Sequence, residues 1–129
     1  MIKGAGMSLT SLVVGCLGEE EDPEDVDEDT TIVDVLEQDF DPQIVEIEAG
    51  ETIRWINRQR DATDLRNANW NGATDWGFTH TLTDIDHFVD YTFDEEGVYQ
   101  YYDVISTPMR QCGMVLVGGA EWDGMLPCG

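Results

Sequence analysis

The chain has 129 residues, of which 28 are acidic and 6 basic, and a formal net charge of −22 at pH 7. This length suits one domain with additional terminal segments, and the charge excludes nucleic acid as a partner because phosphates would repel it. Acidic residues are spread along the whole chain, which favours adaptation to concentrated salt. The alternative is that they form a docking face for a basic redox partner protein.

Residues 1–16 have the pattern of a lipoprotein signal segment. Lys3 is followed by an apolar run from Met7 to Val14 and by small residues before Cys16. The run is shorter than the about 20 residues that a membrane span needs. The segment resembles haloarchaeal twin-arginine lipoprotein signals, although the two arginines are absent. We expect export, a lipid on Cys16 and anchoring to the outer face of the cytoplasmic membrane. An apolar N-terminal helix with a buried Cys16 is the alternative.

Residues 17–30 are predicted to form an acidic, disordered tether. Nine of the eleven residues from Glu19 to Asp29 are acidic, and the segment has almost no apolar side chains that could form a core. Its charges repel one another and extend it, so it would hold the domain away from the membrane. An acidic interaction tail is the alternative.

From Thr31 onward the pattern consists of short β-branched, alternating or aromatic segments separated by turns. Seven of them have the length and composition of strands: 31–36, 43–48, 52–57, 79–83, 89–93, 98–102 and 114–117. No segment has a convincing helical period. The sequence therefore predicts an all-β, antiparallel β-sandwich over residues 31–118, followed by a C-terminal tail over residues 119–129.

Residues 61–77 differ from the rest of this domain because they are rich in Asn, Asp, Gly and Thr and contain Trp70 and Trp76. This composition predicts a long loop. Two interpretations stay open: a functional or mobile loop, or a surface excursion fixed by its two tryptophans.

Three segments together resemble the halocyanin and plastocyanin group of cupredoxins, the type 1 (blue) copper proteins. Residues 40–57 match the group's F-x-P-x-x-[IV]-x-[IV]-x-x-G-x-T-[VI]-x-[FW]-x-N pattern, residues 79–83 resemble the strand that begins with the first histidine ligand, and residues 93–102 resemble the segment before the copper cysteine. The resemblance covers about residues 31–118. It implies a Greek-key sandwich, copper as cofactor, electron transfer as function and a membrane-associated redox partner.

The resemblance also implies a copper site made by two histidines, a cysteine and an axial methionine. Aligned without a gap from Gly97 to Gly113, the sequence has Asp103 at the cysteine position, Ser106 at the second histidine and Gln111 at the axial position. His80 is the one orthodox ligand left. A further departure is the long segment before His80, because the family needs only a few residues between the asparagine and this histidine.

Three interpretations of this altered site stay open. Strand alternation places Tyr99, Tyr101 and Asp103 on one face, so Asp103 and His80 could form an ion pair in a site closed to copper. His80, Asp103 and Gln111 could instead bind Cu(II) or Zn(II) weakly, without the blue colour. A rearranged site would use Cys112, with Met114 or Met109.

The cysteines favour a disulfide over such a rearranged site. If Cys16 is lipidated, Cys112 and Cys128 are the remaining pair in an oxidising compartment. A disulfide between them would hold the C-terminal tail against the domain. His87, among acidic residues in a predicted turn, is interpreted as a surface histidine.

Two functions follow from the sequence. The first is a tethered copper electron carrier, and the second is a copper-free binding or structural module on the same fold. No motif for nucleophilic catalysis, phosphate binding or zinc-finger metal binding is present, so we expect no enzyme. We also expect a monomer that contacts the membrane through its lipid anchor only.

Overall fold

A computed structural model describes residues 22–37, 39–104, 111–124 and 126 of the chain. These residues form a β-sandwich, which confirms the predicted fold class. Its nine described strands are β1 (Thr30–Val35), β2 (Phe40–Asp41), β3 (Ile44–Ile47), β4 (Glu51–Asn57), β5 (Thr63–Ala68), β6 (Thr79–Leu82), β7 (Phe88–Phe93), β8 (Gly97–Asp103) and β9 (Cys112–Val117). All seven predicted strands are present, and β2 and β5 are additional.

The two sheets are mixed, which corrects the prediction of purely antiparallel pairing. One sheet has the order β2-β1-β4-β7 and the other the order β3-β9-β8-β5-β6. β1 runs parallel to β4 and β3 runs parallel to β9, whereas the other pairs are antiparallel. Parallel pairs arise because β1 and β3 lie beside strands that are far from them in sequence, and local turn signals do not reveal such pairing.

The core between the sheets is rich in aromatic rings. Alternation along β8 directs Tyr99 and Tyr101 inward, and Trp55 of β4 lies between Tyr101 and Phe78, with ring centroids at 5.3 and 4.7 Å. The Tyr101 ring lies against Gly113, where a Cβ atom would come within 2.4 Å of it. Any larger residue at position 113 would therefore displace the ring of Tyr101, which lies two residues before Asp103 on β8.

Both outer faces of the sandwich are partly covered. The Arg54 guanidinium pairs with Asp90 and donates to the carbonyl of Pro23, so part of the acidic segment lies against the first sheet. Beyond that point, Glu24 pairs with Arg58. On the second sheet, Leu126 of the C-terminal tail joins a small apolar cluster with Cys112, Met114 and Leu116, against which Trp70, Val98, Tyr102 and Trp122 pack.

The structure corrects the prediction that residues 61–77 are one long loop. Their first part forms β5, which pairs with both β6 and β8. The remainder, around a single 3-10 turn at Trp70–Gly72, is tied to the sheet. The Trp76 indole donates to the carbonyl of Gln100, and its ring stacks on Phe78 at 4.9 Å. The interpretation of an excursion fixed by tryptophans therefore describes the second part only.

Candidate functional site

One row of side chains crosses the inner face of the second sheet. Tyr102 of β8 lies opposite Cys112 of β9, which sets Asp103 opposite Gln111, and the Asp103 amide donates to the Gln111 carbonyl at 3.1 Å. On its other side Asp103 lies opposite Leu65 of β5, and Leu65 lies opposite His80 of β6. Because residues directly opposite each other share a face, the order across the sheet is Gln111, Asp103, Leu65, His80.

Asp103 ends β8 with a carboxylate that is almost fully buried, since the residue is 3% exposed. It follows Tyr99 and Tyr101 on the inner face, as strand alternation predicts. Its Oδ1 atom accepts a hydrogen bond from the Asp64 amide at 3.2 Å. The carboxylate is therefore turned toward the beginning of β5, where Thr63 and Asp64 lie.

Gln111 is directed between the two sheets and is 1% exposed. Its Nε2 atom donates to the carbonyls of Leu36 and Asp39, at 2.8 and 2.9 Å. These two bonds connect the second sheet to the β1–β2 turn of the first and fix the orientation of the amide. The Oε1 atom is buried and accepts no hydrogen bond.

Thr63 lies at the same end of the sandwich and was missed by sequence reasoning. It begins β5, six residues after Asn57, and is fully buried with no hydrogen bond to its Oγ1 atom. Nearby, Asn57 donates from Nδ2 to the carbonyls of Asp61 and Asp84, which fixes the two loops beside this end. The signal that could have found Thr63 was the short spacing after Asn57 that the family resemblance implied.

His80 lies apart from Asp103, although both belong to the same row. The fully buried Leu65 stands between them, and two strand spacings of about 4.8 Å separate their backbones by about 10 Å. The imidazole lies at the exposed edge of the sheet, 5.0 Å from the Phe78 ring. Gln111, the other residue that was predicted to share a metal site with His80, lies one position beyond Asp103 in the row.

Cys112 and Met114 belong to the apolar cluster on the outer face of the second sheet. A β-sheet therefore separates both sulfur atoms from the inner row. Cys112 is disulfide-bonded, but its partner lies outside the described residues, so the pairing with Cys128 stays a prediction. His87 is exposed, and its Nδ1 atom accepts from the Thr83 amide.

Several predicted functional residues lie outside the described residues: Cys16, Ser106, Met109 and Cys128. The lipoprotein signal and the second histidine position therefore stay predictions. Across the residues that the structure describes, no helix has the length and apolar character of a membrane span.

The donor set at this end of the sandwich consists of oxygens. Thr63 contributes a hydroxyl, Asp103 a carboxylate and Gln111 an amide oxygen, and none of these is the soft thiolate on which a type 1 copper centre depends. Among the residues described, no three His, Cys, Asp or Glu side chains are grouped as metal ligands. The described residues at this end therefore do not fit type 1 copper.

Comparison with known proteins supports the fold. No family model and no curated protein matches this chain. Among solved structures, it resembles amicyanin from Paracoccus versutus, with a TM-score of 0.59 and 25% identity over 74% of this chain and 87% of that one. The chain has a cupredoxin fold.

Two further structures with this cupredoxin fold are similar. A purple cupredoxin from Nitrosopumilus maritimus has a TM-score of 0.58 and 24% identity, covering 68% of this chain and 99% of that one. The Cu(I) form of an amicyanin variant has a TM-score of 0.61 and 19% identity, covering 74% and 88%. At these identities the comparison supports the architecture and leaves the chemistry of the site to its own residues.

Proposed function

We propose that this chain is a copper-free cupredoxin-fold module that works as a binding or structural domain outside the cytoplasmic membrane. The observation that carries the proposal is Asp103, a buried carboxylate at the end of β8, where the family resemblance implies a cysteine. Its Oδ1 atom is engaged by the Asp64 amide, and its neighbour Gln111 is fixed by two backbone carbonyls. A hard oxygen donor disfavours Cu(I), so reversible copper redox chemistry loses its basis.

The register of the first ligand also supports this proposal. The strand next to β8 is β5, which begins with Thr63 only a few residues after Asn57. The family resemblance implies a histidine after a similarly short interval. We therefore infer that Thr63, and not His80, occupies the first ligand position. A threonine then stands where the family resemblance implies the first histidine.

A copper titration of the purified protein tests the function. We expect that excess Cu(II), followed by desalting, leaves less than stoichiometric copper and no intense visible absorption band. A faint band with nitrogen and oxygen ligands would support the weak Cu(II) or Zn(II) alternative. An intense band requires a thiolate ligand and would overturn the proposal.

The assignment of Thr63 to the first ligand position is tested by introducing the copper ligands of the family into this chain. The triple variant Thr63→His, Asp103→Cys, Ser106→His should gain an intense charge-transfer band with Cu(II). The matched control, Asp103→Cys, Ser106→His, retains His80 and should gain none. The same band in both variants, lost from the control when His80→Ala is added, would return the first ligand position to His80.

We further propose that a lipid on Cys16 holds the module at the outer face of the membrane, as the signal pattern of residues 1–16 predicts. Fractionation of expressing cells should place the wild-type chain in the membrane fraction. The variant Cys16→Ser should appear in soluble fractions or retain its signal segment. Wild-type protein that remains soluble in the cytoplasm would contradict the proposed location.

Electron transfer is the second candidate function. The observation in its favour is the fold, because one similar structure is described as a Cu(I) form and another as a purple cupredoxin. The same copper titration distinguishes the two functions. A reversible redox wave from copper-loaded wild-type protein would favour the electron carrier.

A further inference from the structure

Two buried oxygen atoms at the Asp103 end of the sandwich accept no hydrogen bond: Thr63 Oγ1 and Gln111 Oε1. Their residues are 0% and 1% exposed. Leaving a buried polar atom without a partner is unfavourable because the atom loses its hydrogen bonds to water, and most buried polar atoms in proteins have a partner. Two such atoms at one end of a sandwich therefore point to a ligand.

Both residues lie close to Asp103 in the second sheet. Gln111 lies directly opposite Asp103, a relationship that sets their Cβ atoms about 5 Å apart. Thr63 directs its side chain to the same face as Leu65, and the Asp103 Oδ1 atom lies 3.2 Å from the amide of Asp64, the next residue. The three side chains therefore lie on the same inner face at one end of the sandwich, and all three are buried.

The Gln111 amide is held in one orientation. Because Nε2 donates to the carbonyls of Leu36 and Asp39, the amide cannot rotate to use its nitrogen elsewhere without losing both bonds. The Oε1 atom is consequently presented as an acceptor. Asp103 supplies negative charge and Thr63 a further oxygen, which together suit a hard cation.

We propose that this region binds a hard, oxygen-ligated divalent cation of the Ca²⁺ class, with Thr63, Asp103 and Gln111 as side-chain ligands. Ca²⁺ takes 6–8 oxygen ligands from carboxylates, amide carbonyls and water, and Cu(I) prefers softer donors. The proposal rests on the copper-free function above and adds a ligand class to it. The site would join the two sheets through Gln111 and so stabilise the fold.

Tb³⁺ luminescence measures the binding, since Tb³⁺ replaces Ca²⁺ at oxygen sites and Trp55 and Tyr101 can sensitise it. The experiment uses chelator-treated full-length protein in about 1 M NaCl, which screens diffuse binding to the acidic surface. We expect one saturable Tb³⁺ site per chain that Ca²⁺ displaces. Absence of any saturable site would overturn the proposal.

Thr63→Val is the decisive variant because Thr63 Oγ1 makes no hydrogen bond that its loss could break. A role as ligand predicts about tenfold weaker binding with no loss of stability in cation-free buffer. The matched control Thr81→Val changes an exposed threonine of β6 and should bind as the wild type does. Equal affinity in all three proteins would overturn the assignment.

Asp103→Asn should abolish the Tb³⁺ signal, and circular dichroism at the same temperature monitors folding. Should this variant unfold, the Thr63→Val comparison still decides the matter. A negative result in the Tb³⁺ experiment is distinct from a negative result for the proposed function. Loss of cation binding leaves a copper-free module, whereas an intense copper band overturns both.

Discussion

The two ends of the sandwich differ in what fills them. At one end, Trp76 packs against Tyr91, Phe93 and Tyr99, with ring centroids at 5.2–5.4 Å. We call these four rings the aromatic end. The other end has four buried polar residues: Asn57, Asp103 and Gln111, which hydrogen-bond to backbone groups, and Thr63, whose Oγ1 atom has no hydrogen-bond partner. We call these four the polar end.

The comparison indicates that the two ends contribute differently to the stability of the fold. The aromatic end buries large apolar surfaces, which are the main favourable term in folding. The polar end buries groups that cost free energy unless each finds a partner. The sandwich therefore depends more on the aromatic end than on the identity of the residues at the polar end, which leads to the following expectations.

Trp76→Ala should have the largest effect because it removes a core ring and the hydrogen bond to the Gln100 carbonyl. We expect a loss of about 3–5 kcal/mol in the free energy of unfolding, measured by chemical denaturation. The control Trp70→Ala, in the same segment but on the outer face, should cost clearly less. Equal losses would mean that the aromatic end has no special role in stability.

Gln111→Met should have the next largest effect, since it keeps the side-chain length and removes the donors to the Leu36 and Asp39 carbonyls. We expect a loss of about 2 kcal/mol with little change in the far-ultraviolet spectrum. Gln43→Met is the control, because the Gln43 side chain is partly exposed and donates to the Cys112 carbonyl of its own sheet. A Gln111 variant as stable as the wild type would remove the proposed link between the sheets.

Tyr101 connects the two ends, and burial raises the pKa of its hydroxyl. A raised pKa in the folded state means that the unfolded chain releases its proton first as the pH increases. The stability that this residue contributes is present below the unfolded pKa of about 10 and is lost above it. We expect Tyr101→Phe to flatten the decline of stability above about pH 10, measured by denaturation at several pH values. An unchanged slope would contradict this assignment.

Arg58→Ala should have the smallest effect. Its guanidinium pairs with Glu24, Asp34 and Asp86, all of them substantially exposed, and such pairs contribute about 0–1 kcal/mol each. We expect a loss that is measurable at low salt and nearly absent in concentrated NaCl, because salt screens the interaction. A loss that grows with salt would rule out an electrostatic origin.

The fold was predictable to a large extent because its signals are local. Short alternating segments predicted seven of the nine described strands, and alternation along β8 correctly set Tyr99, Tyr101 and Asp103 on one face. β5 was missed because its sequence, Thr63–Ala68, contains Asp, Arg and Asn and has a loop-like composition. It is a strand because β6 and β8 pair with it on both sides, and tertiary context overrides such weak propensities.

The candidate site was predictable in part. The gapless alignment from Gly97 grouped Asp103 with Gln111, and the two do lie opposite each other, Asp103 at the end of β8 and Gln111 just before β9. The same reasoning could not place His80, because its distance from Asp103 depends on whether another strand lies between them. β5 does lie between them, and its Leu65 separates the two side chains.

The sequence by itself determined the class of fold, the acidity and the side that Asp103 faces, because strand periodicity and charge are properties of the chain alone. Only the tertiary structure decided which strands are neighbours and which polar atoms are buried without partners. Pairing in a sheet joins residues that are remote in sequence, and it brought Thr63 to the polar end and left His80 at the edge.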